Sequence, residues 1–131
     1  MDDARALWLA DPLFAPAIEH VDVAGRLRAM TADYDGAHWR GEASTTYESA
    51  EPPSRARLTE LSCETLVAVG DRDLATFRAM ADDYATALPR ARRIVISGAG
   101  HVSSLEAADA FNTAVSDFLE IGRERESKVS S

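Results

Sequence analysis

An aspartate and a histidine, each just beyond a short apolar run, are the residues of this chain best placed to do chemistry together. Asp73 closes the stretch Gly70-Asp71-Arg72-Asp73, and His101 closes Gly98-Ala99-Gly100-His101. A histidine held by a carboxylate on one ring nitrogen keeps the tautomer whose other nitrogen can take a proton from a nucleophile. The two are an acid and a base that need a nucleophile. Each alone has a plainer reading: an aspartate directly before a helix is an ordinary N-cap, and one histidine signals little without partners. Asp71 reads as a solvated turn residue. A metal site built from Asp71, Asp73 and His101 is disfavoured because no further ligand is evident, so neither a metal nor a cofactor is expected.

The elements around the pair explain why they should meet. Leu66-Val67-Ala68-Val69 is a continuous apolar run too short for a helix and bounded by Gly70, the pattern of a strand covered on both faces. Phe77, Met80, Ala81, Tyr84 and Leu88 then recur on one helical face over 74–88, closed by Pro89. Arg93-Ile94-Val95-Ile96 is a second short strand, and Phe111, Val115, Phe118 and Leu119 stripe a final helix ending near 120. Strand, helix and strand in this space make a βαβ unit with parallel strands, and ligand sites in such sheets lie at the carboxyl ends of the strands. Gly98 and Gly100 suit a tight turn that lifts His101 above the sheet edge.

Upstream, 2–10 reads as a short helix stopped at Asp11-Pro12, since the residue before proline is pushed out of helical geometry. Val23, Leu27, Met30 and Tyr34 mark an amphipathic helix over 21–34, ended by Asp35-Gly36. Residues 36–53 hold His38, Trp39 and Tyr47 and finish in the stiff connector Glu51-Pro52-Pro53. Ser54 is placed to cap a short helix through Leu61. The organisation is therefore a helical segment at 1–53, a βαβα unit at 54–120 and a polar, disordered tail at 121–131.

At 131 residues, 46% hydrophobic and 27% charged, the chain has ordinary globular composition for one domain. Its net charge of −8 repels phosphates and anionic lipid surfaces, so neither nucleic acid nor membrane is an expected partner. A neutral or apolar small ligand fits better. No apolar run reaches the roughly 20 residues of a membrane span. The single Cys63 makes no intrachain disulfide, and no secretory signal opens the sequence. A cytoplasmic setting follows as the default, with Cys63 as a small buried apolar group.

Thr65–Asp73, Ile94–His101 and Ala108–Leu119 together resemble the carboxy-terminal part of α/β-hydrolase-fold enzymes. The matching patterns are strand-G-x-x-D, as Val69-Gly70-Asp71-Arg72-Asp73, and small-G-A-G-H, as Ser97-Gly98-Ala99-Gly100-His101, with Glu106 a few residues on. The first half, notably Trp8-Leu9-Ala10-Asp11-Pro12-Leu13-Phe14 and the pair His38-Trp39, resembles the helical cap of such enzymes. The resemblance implies a partial α/β-hydrolase fold of the α/β class: a helical cap segment followed by a parallel βαβα unit. It makes Asp73 the triad acid and His101 the base, and it lets Trp8, Phe14, His38 and Trp39 line an apolar substrate pocket. Aromatics at helical spacing are otherwise core residues, and His38 is otherwise a satisfied turn residue.

The family's nucleophile sits in a G-x-S-x-G turn, and this sequence contains none; Ser44, Ser97, Ser103 and Ser104 all lack that setting. A two-stranded sheet is marginal in water, and its inner edge would be uncovered. The expectation is a hydrolase of the Ser-His-Asp type, for an ester or related bond, represented by its carboxy-terminal half. That half would be inactive alone and would associate with itself or with a complementary amino-terminal half. The alternative is a non-catalytic ligand-binding or interaction module derived from the same fold, which would bind without turnover.

Overall fold

The computed structural model describes residues 1–41 and 53–129. Ser44, Tyr47 and most of the Glu51-Pro52-Pro53 connector lie outside the described residues, as do the final two serines.

Helix α1 (Asp2–Leu9) ends one turn before Pro12, and the Asp11 carboxylate accepts the Leu13 amide at 2.8 Å to open a 3₁₀ turn at Pro12–Phe14. Short α2 (Ala15–Glu19) follows directly, and extended His20 separates it from α3 (Val21–Asp33). The three- and four-residue spacing in α3 buries Val23, Ala24 and Leu27, whereas Met30 stays 62% exposed. Arg5 of α1 completes the carboxyl end of α3 by donating to the carbonyls of Thr31, Ala32 and Tyr34 at 2.8 to 3.2 Å. Helices leave their last carbonyls without internal partners, and a guanidinium there supplies both donors and a favourable charge.

Residues Ser54–Glu60 form a 3₁₀ helix. It begins at Ser54 itself, with Pro53 in the N-cap position, so the expected Ser54 cap gives way to a proline whose fixed φ already suits the entry. Strand β1 (Thr65–Gly70), α4 (Ala75–Ala87) and β2 (Ala91–Ile96) make the expected parallel βαβ unit, in register from Thr65 opposite Ala91 to Gly70 opposite Ile96. One-turn α5 (Ser103–Glu106) and long α6 (Ala108–Val129) complete the described chain. The region expected as a disordered tail is thus helical as far as Val129. Its run of Arg, Glu and Lys has high intrinsic helix propensity, which lets a helix already nucleated upstream continue.

The strands are less covered than their apolar runs predict. Most of β1 is only half-buried and Val95 is 49% exposed. Among the described residues the sheet has just two strands; α4 packs on both and α6 on β2, which is too little surface to close both faces. Met80, Tyr84 and Leu119, expected on buried stripes, are exposed for the same reason, while Ala81 and Leu88 are buried. Cys63 lies exposed before β1 rather than buried, its Sγ 3.8 Å from Thr65 Oγ1.

The best-formed core lies between the two halves of the chain. Phe14, Ala17, Val23 and Leu27 cluster there, and Leu9, Leu13, Ile18, Val102 and Leu105 pack against them. Val102 and Leu105 come from the segment just after His101, so the amino-terminal helices and the histidine loop share one hydrophobic contact. No described helix is long and apolar enough to cross a membrane.

Candidate active site

Parallel pairing of β1 and β2 sets the two following loops side by side, with Asp73 and His101 on them. His101 Nδ1 lies 3.2 and 3.1 Å from the two Asp73 carboxylate oxygens. A carboxylate has only acceptors, so Nδ1 is the donor, and in the neutral imidazole the lone pair is then on Nε2. Among the described residues Nε2 has no hydrogen-bond partner. The Asp73 side chain is only 6% exposed and that of His101 33%, so the carboxylate is shielded while the imidazole stays partly open to solvent.

Asp73 does not cap α4. Leu74 occupies the N-cap position, and besides His101 the Asp73 Oδ1 accepts the amide of the adjacent Leu74, at 2.7 Å, rather than one from the first turn of α4. Capping would have pointed the carboxylate along the helix axis, whereas here it faces across to the second loop. The Phe77 ring, one turn into α4, sits 4.4 Å from the imidazole centroid at 47°, giving His101 an apolar wall.

Carboxylates from elsewhere in the site fix the histidine loop. Asp71, expected as a solvated turn residue, accepts the Gly98 amide at 2.8 Å and the Ser97 hydroxyl at 3.3 Å. Glu106 accepts the Gly100 amide at 2.7 Å and the Val102 amide at 2.9 Å. The Arg72 amide donates to the Ala99 carbonyl at 2.9 Å. Gly98 adopts φ of 76°, the left-handed turn that its lack of a Cβ permits. Gly100 is needed for a different reason: a Cβ there would lie 2.8 Å from the Pro16 ring.

Helix α2 therefore touches both loops. Pro16 packs on Gly100, and Glu19 accepts a hydrogen bond at 2.7 Å from Arg72, two positions after Gly70. The Arg72 hydrogen bond and charge hold the Glu19 carboxyl below the usual carboxylate range, and Glu19 raises Arg72 in return.

An open groove of about 200 Å³ runs from Asp73 and His101 along β1 and α4, lined by Val67, Val69, Phe77, Met80 and Tyr84. Trp8, Phe14, His38 and Trp39 do not line it. Trp8 stacks on Phe14 with centroids 4.2 Å apart, and Phe14 belongs to the core. His38 Nδ1 lies 2.6 Å from the Tyr34 hydroxyl, with Trp39 edge-on to the same tyrosine at 5.0 Å. The structure thus joins Trp8 with Phe14, and His38 and Trp39 each with Tyr34. Phe77 and the loop-fixing roles of Asp71 and Glu106 escaped the sequence reading. Phe77 looked like any stripe residue, and only the position of Glu106 shortly after the histidine hinted at more. Among the described residues no group of three His, Cys, Asp or Glu side chains could hold a metal ion.

Comparison with known proteins extends the fold beyond this site. The structure of MenH from S. aureus superposes with a TM-score of 0.77 at 23% identity, over 91% of this chain and 45% of that one. At that identity the likeness concerns the fold alone, and the chain spans less than half the length of the protein it matches. Comparison with curated proteins gives no match. The profile of the TAP-like protein family matches residues 26–130, which takes in β1, α4, β2 and the loops that carry Asp73 and His101. With most of its length inside that profile and an α/β-hydrolase topology in its strands, the chain belongs to the TAP-like family of α/β-hydrolases.

Proposed function

We propose that this chain carries the acid and base of a Ser-His-Asp-type hydrolase acting on an ester or related bond, and that the serine comes from a complementary amino-terminal half. The observation that carries the reading is His101 Nδ1 at 3.1 Å from a shielded Asp73 carboxylate, with Nε2 directed to no described partner. In the assembled site His101 Nε2 takes the serine proton and returns it to the leaving group, while Asp73 holds the tautomer and stabilises the imidazolium. A positioned acid–base pair alone contributes about 10²–10⁴-fold, and each missing oxyanion-hole donor removes about 10²–10³-fold. The chain by itself is therefore inactive as an esterase.

The exposed apolar residues of the groove, Met80 and Tyr84 among them, support a surface that the complementary half covers. On the helical side, which we read as a cap, Trp8 and Trp39 each present a partly exposed ring to the apolar part of a substrate. Phe14 backs Trp8, and His38 is held beside Trp39 by Tyr34.

The test is hydrolysis of p-nitrophenyl acetate and butyrate, with fluorophosphonate labelling. It is run on the chain alone and on the chain co-expressed with the nucleophile-bearing half of a TAP-like hydrolase, each with a His101→Ala counterpart. No turnover alone, and turnover on co-expression that His101→Ala abolishes, is the expected result. Turnover and labelling by the chain alone, lost in His101→Ala, would mean that a residue of this chain is the nucleophile. Ligand binding without turnover in any combination would favour a binding module built on the same fold.

A further inference from the structure

The carboxylate of Glu106 divides its two oxygens between the main-chain amides on either side of His101. Oε2 accepts from Gly100 at 2.7 Å and Oε1 from Val102 at 2.9 Å. One half of this is familiar helix chemistry. Val102 is the N-cap of α5, and Glu106 in the first turn reaches back to the N-cap amide much as the glutamate of a capping box does, from one position later. The other half is not, because the Gly100 amide lies outside the helix, on the far side of the histidine. A helix cap needs only the first bond. A device that fixes the backbone of His101 needs both.

We propose that Glu106 is a positioning residue for His101, setting the imidazole against Asp73 by tying together the amides of the residues on either side of it, Gly100 and Val102. This rests on the acid–base reading of Asp73 and His101 given above. The clamp is charge-assisted, so each bond is about twice as strong as a neutral one. Asp71 secures the loop root at Ser97 and Gly98, Pro16 bears on Gly100, and Val102 is held in the core. Between those anchors the direction of the His101 Cα–Cβ bond depends on the path of the backbone from the Ala99–Gly100 peptide to the His101–Val102 peptide, and Glu106 holds the N–H of each. Glu106→Gln keeps the size and one acceptor oxygen but turns an amide donor toward one of the two N–H groups, so one bond is lost and two donors face each other.

The experiment uses the full chain labelled with ¹⁵N, and reads the His101 ring nitrogens in long-range ¹H–¹⁵N spectra above the titration range of imidazole. Backbone amide exchange is followed in the same samples. In the wild type, Nδ1 carries the proton, and the Gly100 and Val102 amides exchange slowly. In Glu106→Gln the ring nitrogen shifts move toward the average of the two tautomers, and exchange at one or both amides rises roughly tenfold. A merely structural glutamate would alter the melting temperature without changing the tautomer. Unchanged ring shifts in folded Glu106→Gln would overturn the proposal while leaving the acid–base reading intact. That reading fails separately if Asp73→Asn leaves the His101 tautomer unchanged, and Glu106 then has no pair to position. Should Glu106→Gln not fold, the wild-type exchange decides: slow exchange at Gly100 supports the clamp, and fast exchange there overturns it.

Discussion

A carboxylate that faces one imidazole nitrogen with both oxygens does more for the proton on that nitrogen than for the stability of the fold. Asp73 is shielded, accepts the Leu74 amide, and still spans Nδ1 with both oxygens. Replacing it by asparagine keeps the shape and allows the opposite tautomer, in which Nε2 carries the proton and cannot act as a base. In the complemented enzyme Asp73→Asn is therefore expected to lower kcat by about 10³–10⁴-fold with little change in KM. Steady-state kinetics on the purified complex check this, and a parallel rise in KM would assign Asp73 to binding instead. The imidazole also lies against Phe77, a contact that no sequence spacing announces, because it joins a helix face to a loop two elements later.

At the scale of elements, what matters is how short helices are finished and where they touch the loops. Arg5 serves three carbonyls at the end of α3, and Arg5→Ala leaves them to water or to nothing. The expected loss is about 1–2 kcal/mol in equilibrium urea unfolding. Gly100 lies under Pro16, whose ring cannot rotate away, so Gly100→Ala must move α2 or the histidine loop. It is expected to destabilise by about 1–3 kcal/mol, and a neutral result by the same denaturation assay would mean that α2 yields freely. The Glu19–Arg72 pair joins α2 to the loop after β1, and its bond lowers the Glu19 carboxyl. A depressed carboxyl contributes stability that is present above its unfolded value and is lost as the pH falls through its folded one. Wild type and Glu19→Gln should thus differ at neutral pH and converge at pH below the usual carboxylate range. Melting curves over that window read the effect, which is small because both side chains are largely solvated.

For the molecule as a whole, the decisive feature is an imbalance of cover. The contact between the helical segment and the histidine loop is well packed, whereas the two-stranded sheet exposes Met80, Tyr84 and Val95. Apolar surface and an unpaired strand edge favour association. The chain alone is expected to self-associate in sedimentation velocity, and Met80→Lys combined with Tyr84→Lys should shift it toward monomer. A compact monomer with one sharp thermal transition would show that the groove needs no cover.

Much of this was legible in the sequence because it depends on local order. The apolar runs at β1 and β2, the stripe between them and the two loop signatures are short-range patterns, and parallel pairing of adjacent strands then brings Asp73 and His101 close with little freedom left. The missing G-x-S-x-G is likewise a fact of sequence. Other features arise only when distant segments meet. Val102 packs against the Phe14 cluster, Pro16 bears on Gly100, Arg72 reaches Glu19, and Asp71, though exposed, and Glu106 hold the histidine loop. Burial, too, differs from the expectation at Cys63, Met80 and Tyr84. Periodicity records which face of an element is apolar, but cover depends on what stands opposite that face, and that is decided by tertiary packing alone.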